Sequence, residues 1–172
     1  MRKCRQRSDE SAGGSTPSLP PIHKIEKGRL MMVTNMHLQC AIEIAVKYHS
    51  NQVDKSGDIY ILHPLRLMSW MDTIEERIIA VLHDILEDTI VTEQYLLSIF
   101  PQDIVEDIKR LSRQDGECYN DFIMRIKESP RARKIKLADI EDNMSYTRIV
   151  KLPEEHRARL INKYTNAKLA LR

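Results

Sequence analysis

The chain has 172 residues, 42% of them hydrophobic and 30% charged, with a formal net charge of +2. That is the size of one globular domain plus a tail, and so even a charge balance gives no electrostatic case for a nucleic-acid partner. Three widely separated cysteines, Cys4, Cys40 and Cys118, exclude a disulfide framework and a thiolate zinc site and fit a reducing cytoplasm.

No apolar run approaches the ~20 residues of a membrane span. The basic N-terminus is not followed by the apolar stretch of a secretory signal. Residues 1–30, with Ser-Ala-Gly-Gly-Ser-Thr-Pro-Ser and Pro20-Pro21, read as a disordered tail or extension. The remainder, 31–172, reads as one domain, and Met31, Met32 or Met36 could mark its natural start.

From Met36 a helix is expected to Tyr48-His49, carrying Cys40, Ile42, Ile44, Ala45 and Val46. Residues 50–61 form a polar loop that turns at Gly57 and contains a short extended piece at Ile59–Leu62. His63-Pro64 opens a second helix, because proline suits the first helical turn. Glu75-Glu76 place negative charge at the start of a third helix, predicted to run through His83-Asp84 to Asp88. Thr92 caps a short helix to Phe100. Pro101 starts another, with Ile104, Val105, Ile108 and Leu111 on one face. Further helices cover Tyr119–Lys127, Arg131–Met144, and a last one from Pro153 with Leu160, Ile161, Tyr164, Ala167 and Leu171 at helical spacing. No alternating strand pattern appears, so the fold class expected is all-α.

The chemistry concentrates at His83-Asp84-Ile85-Leu86-Glu87-Asp88. Three carboxylates and an imidazole crowd two turns of an otherwise apolar segment, and a divalent cation would offset their repulsion. Asp139, in the apolar context Ile135–Asp139, and His49, at the end of the first helix, are the candidates to complete a shell with His83 and Asp84. Two imidazoles and two carboxylates suit manganese, iron or zinc better than calcium. Glu87 and Asp88, one turn beyond, could orient or deprotonate a water.

His49…His83-Asp84…Asp139 is similar to the H…HD…D order of the HD phosphohydrolase superfamily. The segment from His49 to Pro64, with Gln52, Lys55, Gly57, Tyr60 and His63, resembles the family text HxGQxRKxGxPYxxHP. His83–Thr89 resembles HDxxEDT, and Lys136–Met144 resembles KLADxxxNM. These are the signatures of the hydrolase domain of RelA/SpoT-type alarmone enzymes and small alarmone hydrolases, over about residues 36–146.

The resemblance implies a single HD-domain helical fold and a manganese-dependent enzyme. Its substrate would be a phosphorylated nucleotide, guanosine tetra- or pentaphosphate, losing its 3′-pyrophosphate. It implies a metal held by His49, His83, Asp84 and Asp139, water handled by Glu87 and Asp88, substrate positioned by Asn143, and phosphate met by Lys55 and Lys136. Tyr60 could stack on a base or serve as a core-edge tyrosine.

The departures are Asp54 for the family arginine, Asn51 for the loop glycine and Ile59 for the proline. The segment Leu111–Tyr119 and the ending from Leu152 are similar to a branch of small bacterial and phage HD proteins. Two alternatives stand beside the alarmone: another phosphorylated nucleotide, which Asp54 favours because it cannot stack as arginine does, and a nucleotide-binding regulator without turnover. His63 is expected to order the loop, His37 and His156 to be surface groups, and Glu141 and Asp142 to face solvent. Arg131, Arg133 and Lys134 form either a phosphate-attracting rim or a solvated face.

Overall fold

The computed structural model describes residues 32–172; the tail expected at 1–30 lies outside them. Ten helices occur there: α1 (Asn35–Tyr48), α2 (Leu62–Ser69), α3 (Ile74–Val81), α4 (Ile85–Asp88), α5 (Glu93–Leu97), α6 (Gln102–Leu111), α7 (Tyr119–Lys127), α8 (Pro130–Asn143), α9 (Tyr146–Ile149) and α10 (Glu154–Leu171). Among the described residues no strand forms, and the fold is all-α. The extended piece expected at Ile59 amounts to one antiparallel bridge, Val53 to Ile59.

Local chemistry sets most boundaries. Thr73 caps α3 by accepting from the Glu76 N–H (3.2 Å), while Glu76 accepts in return from the Thr73 N–H (3.3 Å). This reciprocal box satisfies two amides that a helix start leaves free. Thr92 caps α5 and Ser129 caps α8, where Pro130 occupies the first turn. Thr34 starts α1 and donates its N–H to His37 Nδ1 (3.2 Å), so His37 is a capping group. In the loop, Asn51 and Gly57 adopt positive φ (64° and 84°). Asparagine tolerates that region better than other side chains, which makes Asn51 a conformational match for the family's glycine.

The predicted continuous helix through His83-Asp84 is broken. α3 stops at Val81, α4 starts at Ile85, and Leu82 and Asp84 take φ/ψ of −106°/7° and −105°/3°. His83 Nδ1 donates to the Ala80 carbonyl (2.9 Å), the acceptor that the Asp84 amide would use in an unbroken α-helix.

α3 is the core helix. Ile78, Ile79, Ala80 and Val81 are all fully buried, as a half-helix apolar on every side must be, and α3 packs on α1, α2, α6 and α8. Each such isoleucine contributes roughly 1.5–3 kcal/mol of burial. α8 touches α2, α3, α6, α7, α9 and α10. It presents Ala132, Ile135 and Ile140 to the core. On α10, Tyr164, Ala167 and Leu171 are buried, whereas Ile161, expected on that stripe, is 40% exposed.

Arg131 and Lys134 form no phosphate rim. Lys134 Nζ bonds Asp72 (2.7 Å) and Glu76 (2.6 Å). Arg131 Nε bonds the buried Asp107 (2.7 Å), which also accepts from Ser129 Oγ (2.6 Å). These contacts tie α8 to α3 and α6. Asp107→Asn is expected to cost about 1–3 kcal/mol, since a charge-assisted bond is weakened in a buried setting. Urea denaturation checks it, and an unchanged midpoint would show that Asp107 does not hold α6 to α8.

Candidate active site

The break between α3 and α4 faces the inner side of α8 across the start of α2. His63, His83 and Asp139 meet there. All three are buried, and their ligand atoms lie within 4.8 Å of one another. His63 Nε2 is 3.2 Å from Asp139 Oδ1, and the two imidazoles stand edge-on with centroids 5.2 Å apart. Asp139 is further held by Lys136 Nζ on Oδ2 (2.7 Å) and by Asn143 Nδ2 on Oδ1.

His83 carries the clearest chemical signature. Its Nδ1 is used by Ala80, and its Nε2 is buried without a hydrogen-bond partner. That atom lies 3.1 Å from Asp84 Oδ2, a close charge contact lacking hydrogen-bond geometry. Burial alone would lower the His83 pKa; the carboxylates of Asp84 and Asp139 reverse this and push it up to about 9. The surroundings therefore favour positive charge between these groups. Two imidazoles, one of them with an orphaned ring nitrogen, and a carboxylate fit a divalent cation, and His63, His83 and Asp139 could hold one.

Of the expected His49, His83, Asp84 and Asp139, the cluster holds His83 and Asp139, with His63 beside them. His49 is buried, but its Nδ1 bonds Gln52 Oε1 (2.8 Å) and its ring packs on Tyr60 at 4.7 Å. Gln52 Nε2 in turn donates to the Asp88 carbonyl (3.0 Å). His49 thus anchors the loop to α4, and His63, expected only to order that loop, joins the cluster. Asp84 adjoins the cluster through His83 and accepts from the Tyr60 hydroxyl (2.5 Å). Burial, with Asp84 next to it, drives the Tyr60 pKa upward, so Tyr60 stays a neutral donor that holds Asp84.

A cleft of about 990 Å³ opens over the cluster. One wall carries Asp84, Glu87 and Asp88. Burial, then Asp84 and Glu87, raises the Asp88 pKa to about 6. Glu87 Oε2 accepts from the Arg113 N–H (3.0 Å), fastening the loop before α7. The other walls bring Lys55, Lys136, Asn143, Arg113 and Lys163, with Tyr119, Phe122 and Tyr164 among them. Burial and then the neighbouring Lys136, Lys55 and Arg113 lower the Lys163 pKa, and Asp139 offsets only part of this. Lys163 Nζ lies 4.1 Å from the Tyr119 ring centroid.

Sequence reasoning thus brings together His83, Asp84, Asp139, Glu87, Asp88, Lys55, Tyr60, Lys136 and Asn143 around one cleft. It misses Lys163, Tyr164 and Arg148, which follow the motif-bearing segment. It also misplaces Asp142. Glu141 is exposed and pairs with Lys168 (2.5 Å), but Asp142 is 3% exposed and bonds His63 Nδ1 (2.7 Å). The three-residue spacing from Asp139 is the signal that could have found it. Asp54 is internal too: it accepts from the Ser56 and Asp58 amides (2.7 and 3.1 Å) and faces Arg148 Nη2 at 3.1 Å.

No protein-family model matches the chain. Among curated proteins it is similar to a probable GTP pyrophosphokinase of Mycobacterium leprae, 32% identical over 158 residues, which are 84% of this chain and 20% of that protein. It is similar as well to a guanosine-3′,5′-bis(diphosphate) 3′-pyrophosphohydrolase of Aquifex aeolicus, 32% identical over 119 residues, covering 62% of this chain and 17% of that protein. The chain spans about a fifth of the length of these relatives. Among solved structures it resembles one described as a metazoan ortholog of SpoT that hydrolyzes ppGpp and plays a role in starvation responses. The TM-score is 0.70 at 19% identity, over 83% of this chain and 89% of that one, a likeness of fold. The sequence relatives and the likeness of fold support a RelA/SpoT-type HD domain.

Proposed function

We propose that residues 31–172 form one HD domain that removes the 3′-pyrophosphate of a guanosine alarmone in a metal-dependent hydrolysis. The observation that carries this reading is the orphaned His83 Nε2. With its Nδ1–H given to Ala80, His83 turns Nε2 toward the carboxylates of Asp84 and Asp139, which favour positive charge at that point, and a metal cation taking the place of the Nε2 proton would supply it. His63, His83 and Asp139 would hold it with Asp84 beside them. This mixed nitrogen and oxygen set suits Mn2+ or another divalent transition metal. When bound, such an ion screens phosphate charge and lowers the pKa of water.

The chain's own residues supply the rest. Asp88, with its pKa near 6, is ionised at neutral pH yet basic enough to take a proton from the attacking water. Glu87 stands beside it and keeps the Arg113 loop over the cleft. Lys55, Lys136 and Lys163 neutralise phosphate, Asn143 steadies Asp139, and Tyr60 steadies Asp84. Hydrolysis is favoured over pyrophosphate transfer because a proton-accepting carboxylate, Asp88, lines the same cleft as His63 and Asp139. The guanosine nucleotide comes from the names of the relatives. A reducing, cytoplasmic setting suits the free thiols of Cys40 and Cys118.

Metal binding separates the two histidines. Stripped protein titrated with Mn2+ is expected to take up one ion per chain. His63→Ala and His83→Ala should abolish uptake while His49→Ala keeps it; loss in His49→Ala and His83→Ala, with uptake kept in His63→Ala, would restore the ligand set expected from sequence.

Substrate is tested by offering the Mn2+-loaded protein a panel of phosphorylated nucleotides and following pyrophosphate and phosphate. Pyrophosphate from guanosine tetraphosphate is the expected result. Release only from other nucleotides supports the second reading, which Asp54 favours, and binding without turnover supports a regulator.

The pH profile tests Asp88. A base must be deprotonated to act, so kcat/KM should fall as pH drops through about 6. Asp88→Asn should slow turnover roughly 10²–10⁴-fold and remove that limb. An acid limb that persists in the variant assigns the proton to another group.

A further inference from the structure

Behind the cluster lies a second layer of charge that the proposed reaction does not use. Asp142 is 3% exposed. Arg66 grips it with both prongs, Nε on Oδ1 (2.7 Å) and Nη2 on Oδ2 (2.9 Å). Arg148 Nη1 bonds Oδ2 as well, and its Nη2 reaches Asp54. The two arginines match the two carboxylates in charge, so the buried anion is paired on every side.

Asp142 also meets His63 Nδ1 at 2.7 Å. A carboxylate can only accept and a guanidinium can only donate. His63 is the one member of the group with a choice of tautomer. A lone pair on Nδ1 would oppose the carboxylate; a proton there makes a charge-assisted bond. Arg148 Nη1, 2.9 Å from the same nitrogen, has one N–H on Asp142 Oδ2, and turning its other N–H to Nδ1 would still leave a ring lone pair facing the carboxylate at 2.7 Å. The proton therefore sits on Nδ1, and Nε2, on the Asp139 side of the ring, presents its lone pair to the cluster.

We propose that Asp142, clamped by Arg66 and Arg148, is a positioning residue that locks His63 in its Nδ1–H form and aims Nε2 at the cation. This rests on the reading of His63, His83 and Asp139 as a cation site. The clamp gathers α2, α8 and α9 and, through Asp54, the loop before α2, so the ring's orientation is fixed by four parts of the fold.

Two measurements test it. Calorimetric titration of stripped protein with Mn2+ should show Asp142→Asn binding about 10- to 100-fold more weakly than the unaltered chain, the range for losing a carboxylate behind a ligating histidine. Asp142→Glu should recover part of that loss. Asp107→Asn is the control, an arginine-bound buried carboxylate outside the cleft: it should lower stability and leave Mn2+ affinity unchanged. Equal affinity in Asp142→Asn and the unaltered chain overturns the proposal while the cation site stands. No Mn2+ uptake by the unaltered chain overturns the site and the proposal together. Long-range 1H–15N correlation on the unaltered, Zn2+-loaded chain decides the matter even where Asp142→Asn does not fold. A proton on His63 Nδ1 with Nε2 shifted by metal is expected; metal on Nδ1, or a proton on Nε2, overturns it.

Discussion

Asp139 and Asp142 stand three residues apart on α8, so their carboxylates share one face, and both are buried. Two anions on one inward face are tolerable only where cations and donors are brought to them. Asp139 draws Lys136 and Asn143 from its own helix and His63 from α2. Asp142 draws His63 and Arg66 from α2 and Arg148 from α9. Burial would raise the Asp142 pKa, but the bonds from His63 and Arg66 hold it well below the usual carboxylate range. Neutralising one helix face thus decides where α2, α9 and the loop before α2 must lie. The cleft is what remains above them.

The break between α3 and α4 answers the same constraint from the other side. On an unbroken helix His83 and Asp84 would sit on adjacent stripes, about 100° apart. With residues 82–84 out of helical conformation, the His83 ring turns back to Ala80 and Asp84 comes within reach of its Nε2 and of Tyr60. The apolar residues before the break keep α3 in the core, and the acidic residues after it open to the cleft. One segment can therefore be both the most buried element and the carrier of Asp88.

What was legible in the sequence follows from how local each signal is. Helices with apolar stripes and chemical caps, such as α6 with Ile104, Val105, Ile108 and Leu111 or α5 behind Thr92, are written in neighbouring residues. His83, Asp84 and Asp139 were legible because an apolar setting makes a charged group conspicuous. His49 and His63 were harder to tell apart. They bracket the same loop and both are buried, and which ring meets His83 and Asp139 depends on Gln52 taking one and Asp142 the other, contacts that no helical spacing encodes. Lys163 and Arg148 reach the cleft by the packing of α10 and α9 against α8, and only the folded chain brings them there.

Asp54 bears most directly on what the cleft can select. On paper a carboxylate in place of arginine repels phosphate. In the fold it is 5% exposed at its side chain, holds two loop amides and faces Arg148, so its charge is spent within the loop and little of it reaches the cleft. The cations that would meet phosphate, Lys55, Lys136, Lys163 and Arg113, all remain on the cleft walls. What the exchange removes is a free planar cation able to stack on a base, since the donors of Arg148 are committed to Asp142 and Asp54. In the proposed reaction phosphate binding and base recognition are therefore separable: the lysine-rich end would serve the first, and the loop from Gln52 to Tyr60 would serve the second.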